Sequence, residues 1–513
     1  MKRIKGNHSN KSEKLMKKIV LILTAWLMLI MICCTGNERK PNVVIIYTDD
    51  HNFEHIGVYG GNVLTPSIDR IANGGARFNR FYVSSPVCTP SRYSVITGRY
   101  AVRSKVLQKR QPTDQPAFIR WNTFLSKEEK TSAHLFKEAG YATGMVGKYH
   151  LGGEFGHIGG DERYDDPAVR DTIYAIYRKW QQHVKDVAGF DYVESLYGNN
   201  MHIIGIPKSM QYHNMEWITK GALEFIDQHK DNPFFLYMAT TLPHVPGPLE
   251  SLKANPRVTA AGMLDEPVSG VQASRESVFE RTRAAGIPDE NAPMTWLDDG
   301  IGAVLERLEE YGLMENTIIV FASDHQSPRA KMTCYEDGAN APGAIMWKGK
   351  IKAGQVHDAL VTNVDIVPTI LDLAGIEPPE DYEIDGRSWV PLLNETKSSL
   401  HESLYLEVVY QRAIVTKDWK YIAVRFPDRV NEEITPENRM EFTIEGERGK
   451  DRYHNETNFP GYYDDDQLYC LADDKGEQNN LAYDPEYSDK LEEMKLLLKA
   501  YAKDLPFAFG EFK

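Results

Sequence analysis

Asn42-Val43-Val44-Ile45-Ile46-Tyr47-Thr48-Asp49-Asp50 is the stretch whose reading decides the fold. Its apolar residues run without alternation, as in a parallel strand covered on both faces. The run then stops in two carboxylates. In open α/β sheets, ligands gather just past the C-terminal ends of the strands. Similar runs recur at Tyr141–Val146, Phe234–Ala239 and Thr317–Ala322. Between them lie helical segments, Ser67–Asn73, Ser132–Glu138, Met215–Gln228 and Met294–Glu310. In the third, Ile218, Ala222, Phe225 and Ile226 share one face. The alternation predicts an α/β domain with a doubly wound, mostly parallel sheet.

The pattern changes after about residue 395. Leu404–Val409, Ala413–Thr416 and Tyr421–Val424 read as short, closely spaced strands of an antiparallel sheet. Ser488–Ala502 reads as a closing helix. The expected organisation is a large domain over 41–395 and a smaller one over 396–513. The polar stretch Pro427–Asp466 reads as an irregular excursion. With 513 residues, 42% hydrophobic and 26% charged, the chain is an ordinary globular one.

Residues 1–40 are set apart. Seven basic residues from Lys2 to Lys18 precede an uncharged run, Ile19–Cys34, which is too short for a confident membrane span and fits a secretory signal. Met16-Lys-Lys resembles a natural signal start, so translation from Met1 or from Met16 stays open. Cys33 and Cys34 follow Leu29-Ile-Met-Ile, which resembles a bacterial lipoprotein cleavage box with Ile32 in place of a small residue. A lipid anchor and simple secretion, to the periplasm or cell surface, are therefore both expected readings.

Residues 1–40 hold 9 of the 59 basic and 2 of the 73 acidic residues, which leaves 50 and 71 beyond them, a net of −21. Such a surface repels nucleic acid. Only Cys88, Cys334 and Cys470 remain there. An odd count in an exported chain is no disulfide framework.

The densest signal is Cys88-Thr89-Pro90-Ser91-Arg92 with Ile96-Thr97-Gly98-Arg99 behind it. It resembles the Cys-x-Pro-x-Arg and Leu-Thr-Gly-Arg signature of the formylglycine-dependent sulfatases, with Ile96 for Leu. The likeness runs from residue 41 to about 485. It implies an alkaline-phosphatase-like fold with a smaller C-terminal domain, hydrolysis of sulfate monoesters, and conversion of Cys88 to formylglycine by a maturating enzyme. That conversion makes chemical sense. A thiolate attacking sulfur would leave an adduct needing a second hydrolysis. A hydrated aldehyde attacks with one hydroxyl and expels sulfate with the other.

Asp49 and Asp50 follow one strand; Asp324 and His325 follow another. Three carboxylates brought together are costly without a cation. The resemblance implies that these four residues and the formylglycine oxygen at 88 hold Ca2+, with Mg2+ the alternative. A Gly usually follows His325 in the family; here it is Gln326.

Gly147-Lys148-Tyr149-His150-Leu151-Gly152 resembles the family's Gly-Lys-Trp-His-Leu-Gly. Pro243-His244-Val245-Pro246 resembles its Pro-His-x-Pro, and Lys331 with Tyr335-Glu336 its Lys-x-x-x-Tyr-Glu. By resemblance, Lys148 and Lys331 bind sulfate, and His244 with Lys331 protonates the leaving alcohol. His150 drives sulfate release, and Arg92 polarises the formylglycine. Any one of these alone is an ordinary cation or satisfied histidine; the ordered set carries the reading.

The substrate class expected is a sulfated carbohydrate. Two other readings are a phosphonate monoester or phosphodiester hydrolase of the same fold, and a non-catalytic glycan-binding surface protein. His51, His55, His157, His183, His213 and His401 carry no motif and read as sugar-subsite or plain surface residues; His51 and His55, near the metal loop, are the better candidates for substrate contact. Trp121, Trp180 and Tyr410 are candidates for stacking on a sugar ring. Cys334 and Cys470 read as buried packing residues. Loops within Gly153–Met210, Leu249–Pro288 and Pro427–Asp466 are expected to choose the sugar.

Overall fold

β1 (Asn42–Thr48) forms where expected, with all seven side chains buried. The computed structural model describes Met16, Lys18 and residues 39–156, 163–442 and 455–513. The signal segment with Cys33 and Cys34 falls almost wholly outside the described residues, as does His157. Pro41–Lys513 form one unit, distinct from Met1–Lys40.

β1 belongs to a nine-stranded sheet with β2 (Ala76–Tyr82), β3 (Ala142–Lys148), β4 (Tyr192–Tyr197) and β5 (Phe234–Ala239). After a separate two-stranded ribbon, β6 (Val258–Thr259) and β7 (Gly262–Met263), come β8 (Thr317–Ser323), β9 (Asn340–Met346), β10 (Gln355–His357) and β11 (Val361–Thr362). The order is β10-β2-β9-β8-β1-β5-β3-β4, with β11 beside β2. β1 pairs in parallel with β8 and β5, and β5 with β3. β9 alone reverses direction, against both β8 and β2. The sheet is thus mostly parallel. Because β8, β1, β5 and β3 are neighbours running one way, residues 324, 49, 240 and 149 emerge along one edge.

Helices cover the sheet. Pro66–Gly74, Met215–His229 and Ala292–Glu310 each bury one apolar face, including Ile218, Ala222, Phe225 and Ile226 of the second. Its start is fixed by Asn214, whose side chain accepts the Trp217 amide. Helix Pro167–Ala188 and β4 occupy ground that the sequence reading treated as loop. Ten-residue helix Cys88–Thr97 is different, since every residue of it is buried. It ends at Gly98, with φ +70° and the place of a Cβ 3.0 Å from Val367.

The second sheet is antiparallel, in the order β12 (Leu404–Val408), β13 (Gln411–Val415), β14 (Trp419–Val424) and β15 (Asp466–Cys470). Helix Ser488–Lys503 packs on it through Met494 and Leu498. Within Pro427–Asp466, Asp428–Glu433 is helical. No helix among the described residues is long and apolar enough to cross a membrane.

Candidate active site

Strand ends deliver the polar residues. Asp49 follows β1 and Asp324 follows β8, and the two ends are laced together. The Asp324 amide donates to Thr48 O at 3.0 Å, and the Asp50 amide to Asp324 Oδ1 at 3.0 Å. β3 ends on Lys148, and the turn after β5 carries His244. Gly147 explains the Gly-Lys motif. Its φ is +84°, and a Cβ there would lie 1.8 Å from Ala239 O on β5, so only glycine lets the two strand ends close up. Asp50, His150 and Met332 adopt left-handed backbone at φ 62°, 60° and 71°. Such strain in non-glycine residues collects where geometry is enforced by function.

Cys88 is the first residue of its helix and has no exposed surface. Its Sγ lies 3.3 Å from His325 Nε2. Burial pushes its thiol above the ordinary value, against the pull of Lys148 and Lys331. An unmodified Cys88 is therefore a protonated, weak nucleophile at neutral pH.

One turn along, Arg92 is also fully buried. Its guanidinium meets Asp324 Oδ2 at 3.0 Å, Asp49 Oδ1 at 3.4 Å and Lys148 O at 3.4 Å, over the ring of Tyr47. Lys148 Nζ sits 2.6 Å from Asp49 Oδ2, and Lys331 Nζ 2.7 Å from Asp50 Oδ1. Three cations thus already answer the three carboxylates, which refines the sequence expectation of uncompensated acids. The match in charge is not a match in bonding. Asp49 Oδ1 accepts no hydrogen bond. Burial and the neighbouring Asp49 raise the Asp324 carboxyl well above the ordinary range, whereas Lys148, His244 and Arg92 overcome burial and hold Asp49 well below it. Of the two, Asp324 is the carboxyl pushed toward its neutral form.

Ligand atoms of Asp49, Cys88, Asp324 and His325 lie within 4.8 Å of one another, as do those of Asp49, Asp50, Cys88 and His244. An orphaned carboxylate oxygen and this donor set fit a hard divalent cation.

The histidines divide. Burial lowers His325 to about 4, helped by Lys331, and its Nε2 faces Asp50 Oδ1 at 3.2 Å. His150 is 2% exposed and its Nδ1 has no partner; burial, Lys148 and Arg92 keep it neutral. Burial lowers His244 to about 3, with Asp49 pulling upward. Its Nδ1 faces Val245 O at 2.7 Å and its Nε2 lies 3.9 Å from Asp50. The sequence reading gave His213 no part. Its Nε2 lies 2.6 Å from His244 O and its Nδ1 2.8 Å from Thr241 Oγ1. A lone histidine before a helix offers no sequence signal of that contact.

Other expectations change. His51 is fully buried between Thr48 Oγ1 and His55 O, so it is a core residue and not a substrate contact. His401 pairs with Asp365, and His183 packs on Trp180 and Tyr149. Trp180 lies in the core, closed to a sugar. Cys334 is buried as expected, but Cys470 is partly exposed beside Asp473 at the end of β15, where the strand leaves the core. Gln326 substitutes for the family's glycine without strain, since its φ is not positive. Its side chain donates to Asn340 O at 2.5 Å.

Lys331 is carried by a loop tied to the small sheet. The Cys334 amide donates to Gln411 Oε1, Tyr335 OH to Gln467 Oε1, and the Glu336 amide to Glu477 Oε2. Lys420 Nζ lies 2.7 Å from Glu336 and 2.9 Å from Glu477.

Comparison with known proteins agrees with this geometry. Residues 41–376 match the sulfatase family, and residues 329–432 match the N-sulphoglucosamine sulphohydrolase C-terminal family. An N-acetylgalactosamine-6-O-sulfatase of Bacteroides thetaiotaomicron is 28% identical over 89% of this chain and 93% of its own length. The human N-acetylgalactosamine-6-sulfatase is 29% identical over 70% of this chain and 67% of its own. A protein solved with its substrate D-glucosamine-2-N,6-O-disulfate superposes with TM-score 0.60 at 22% identity, covering 91% of this chain and 99% of that one.

Proposed function

The chain belongs to the sulfatase family, and we propose that it hydrolyses sulfate monoesters on a sulfated carbohydrate, with Cys88 converted to formylglycine and Ca2+ held by Asp49, Asp50, Asp324, His325 and the residue at 88. The observation that carries this is the buried cluster around Cys88, 3.3 Å from His325 and ringed by three carboxylates and two lysines. A carbohydrate substrate is supported by the relatives named for N-acetylgalactosamine 6-sulfate. Among alternative cations, Mg2+ accepts the same oxygen donors.

Chemistry follows from the residues. A divalent cation in this site would take over the carboxylates, free both lysines toward the sulfate oxygens and polarise the ester. Lys148 and Lys331 then bind the anionic group with charge-assisted hydrogen bonds. Arg92 keeps Asp49 and Asp324 oriented from beneath and lies one helical turn from residue 88. His150, buried and neutral with an unpartnered Nδ1, suits the base that drives sulfate release. His244, at the edge of the cluster near Asp50, is the acid toward the leaving alcohol together with Lys331. An anionic ester beside it favours its imidazolium form. Export through the segment at residues 1–40, by simple secretion or with a lipid anchor at Cys33 or Cys34, is the matching localisation.

The test is the mass of the tryptic peptide Phe81–Arg92 from protein made in its native host. The expected result is an aldehyde in place of the Cys88 thiol, with Cys88→Ala lowering sulfate release roughly 10⁴-fold or more. An unmodified thiol in protein that still turns over sulfate esters would overturn the nucleophile. Rates on matched sulfate and phosphate esters test the reaction class, with the sulfate ester expected to be faster.

A further inference from the structure

The small sheet carries a cavity that the reaction does not use. It measures about 330 Å3, at the lower end of the range of small-ligand pockets. Aromatic rings of Tyr410, Phe426, Tyr462 and Tyr463 line it, together with Met332 and Arg439. The Arg439 guanidinium lies 3.7 Å from the centroid of Tyr463. Tyr410 is held in place by Phe118 and Phe426, at centroid distances of 4.8 and 5.3 Å.

Two chain connections tie the walls of this cavity to active-site residues. Met332, on its inner wall, directly follows Lys331, and its amide donates to Pro86 O, two residues before Cys88. Successive Cα atoms are about 3.8 Å apart, so the wall and the sulfate-binding lysine belong to one short loop. On the other side, Val409 and Ile119 exchange backbone hydrogen bonds at 2.7 and 3.2 Å. The segment from Ile119 leads to Leu125, whose amide donates to Leu151 O beside His150.

Arg439 lines the cavity, and Arg120 and Arg429 lie near enough to Tyr410 to act on it, in a chain that carries a net of −21 beyond residue 40. Arg120 and Arg429 both favour the ionised form of Tyr410, as does buried Arg412, although burial raises that phenol overall. Arg120 is exposed and lies over Phe118 at 4.6 Å. Asp465 is the acid of the lining, suited to accept sugar hydroxyls. Flat aromatic faces with guanidinium groups at the edge are the chemistry of a pyranose ring bearing an anion.

We propose that this cavity is a subsite for a second sugar unit, joined to the sulfated one and carrying a carboxylate or sulfate of its own. This rests on the sulfatase reading above and deepens it: the enzyme prefers a chain over an isolated sulfated sugar.

The experiment compares kcat/KM on 4-nitrophenyl sulfate and on a tetrasaccharide with a sulfated hexosamine next to a hexuronate. Wild type is set against Tyr410→Ala and Arg439→Gln; Arg439 lies at the surface, so the second variant keeps the fold if the first does not. The expected result is a 10- to 100-fold loss on the tetrasaccharide, mostly in KM, with the aryl sulfate rate within twofold. Parallel losses on both substrates, or no loss on the tetrasaccharide, overturn the subsite. Calorimetric titration with the same tetrasaccharide after chemical desulfation reads the subsite without turnover. Binding that weakens in both variants supports it even if no sulfate ester is hydrolysed; absent or unchanged binding overturns it.

Discussion

Two groups of charged side chains are buried in this molecule, and they are finished differently. At the strand ends, Asp49, Asp50 and Asp324 face Arg92, Lys148 and Lys331. That group keeps an oxygen with no hydrogen bond, a carboxyl pushed well above the ordinary range and an edge at Asp50 that solvent reaches. Under the small sheet, Lys420 lies between Glu336 and Glu477, where Glu477 Oε1 is also left without a hydrogen bond and burial raises the Glu477 carboxyl to about 7. Tyr82 OH donates to Glu336 at 2.8 Å and the Glu336 amide to Glu477 at 2.6 Å. Balance of charge does not separate a working site from a structural lock. What separates them is the donor set: among the described residues, the strand-end carboxylates Asp49 and Asp324 converge with Cys88 and His325 to within 4.8 Å of one another, as a cation requires, whereas Glu336 and Glu477 close on a single lysine.

Breaking a member of each group should therefore give opposite results. Lys420→Met leaves two buried carboxylates facing each other. It should cost about 3–5 kcal/mol of stability, seen as a lower thermal or urea midpoint. Asp324→Asn replaces a carboxyl that burial and Asp49 already push toward its neutral form, and Arg92 keeps its contact with Asp49. Its metal-free midpoint should fall less than that of Lys420→Met, while turnover and the stabilisation by added Ca2+ both disappear. If the two variants destabilise equally, the contrast is false.

Protonation sharpens the same contrast. In the metal-free protein the raised Asp324 carboxyl contributes stability at low pH that is lost as the pH rises through its folded value. A cation competes with protonation of that carboxyl, so the Ca2+-induced rise in midpoint should grow as the pH rises. A rise that shrinks with pH would contradict the raised Asp324 carboxyl.

His213 is a smaller lever. It acts through the His244 and Pro246 carbonyls and touches no reacting atom. His213→Gln should lower kcat/KM roughly tenfold, about 1.4 kcal/mol. The loss should fall mainly on substrates with poor leaving groups, as the proposed role of His244 as the acid requires. Equal losses on good and poor leaving groups would make His213 merely structural.

The mildest effect is expected at Glu407. Burial raises its carboxyl to about 7, against the pull of Arg412, and it accepts from the Val102 amide and Tyr405 OH. A raised value means its contribution is full below the unfolded value near 4.5 and lost as pH rises through about 7. Glu407→Gln should flatten the stability profile between pH 5 and 8 without changing turnover. A profile as steep as wild type would show that another group titrates there.

Much of this was written into local sequence. A run such as Val43–Tyr47 can only be buried on both faces, so it announces a central parallel strand, and β1 is one. The ordered motifs around Cys88, Lys148, His244, Asp324 and Lys331 announce the chemistry, because each marks a tight turn after a strand where backbone geometry restricts the residue. Gly147 shows the restriction directly, with no room for a Cβ beside Ala239.

Tertiary structure decided the rest. That β8, β1, β5 and β3 are neighbours is a matter of pairing between segments hundreds of residues apart, which local pattern does not encode. The pairing of each lysine with one carboxylate, the hold of His213 on His244, and the tie between the Lys331 loop and Gln411, Lys420 and Gln467 arise the same way. So does the burial of His51 and Trp180, polar-tipped residues whose types are compatible with core or surface. Side-chain chemistry is a property of the residue and can be read from the chain. Partnership and solvent access belong to pairs of distant residues, and exist only once the chain has folded.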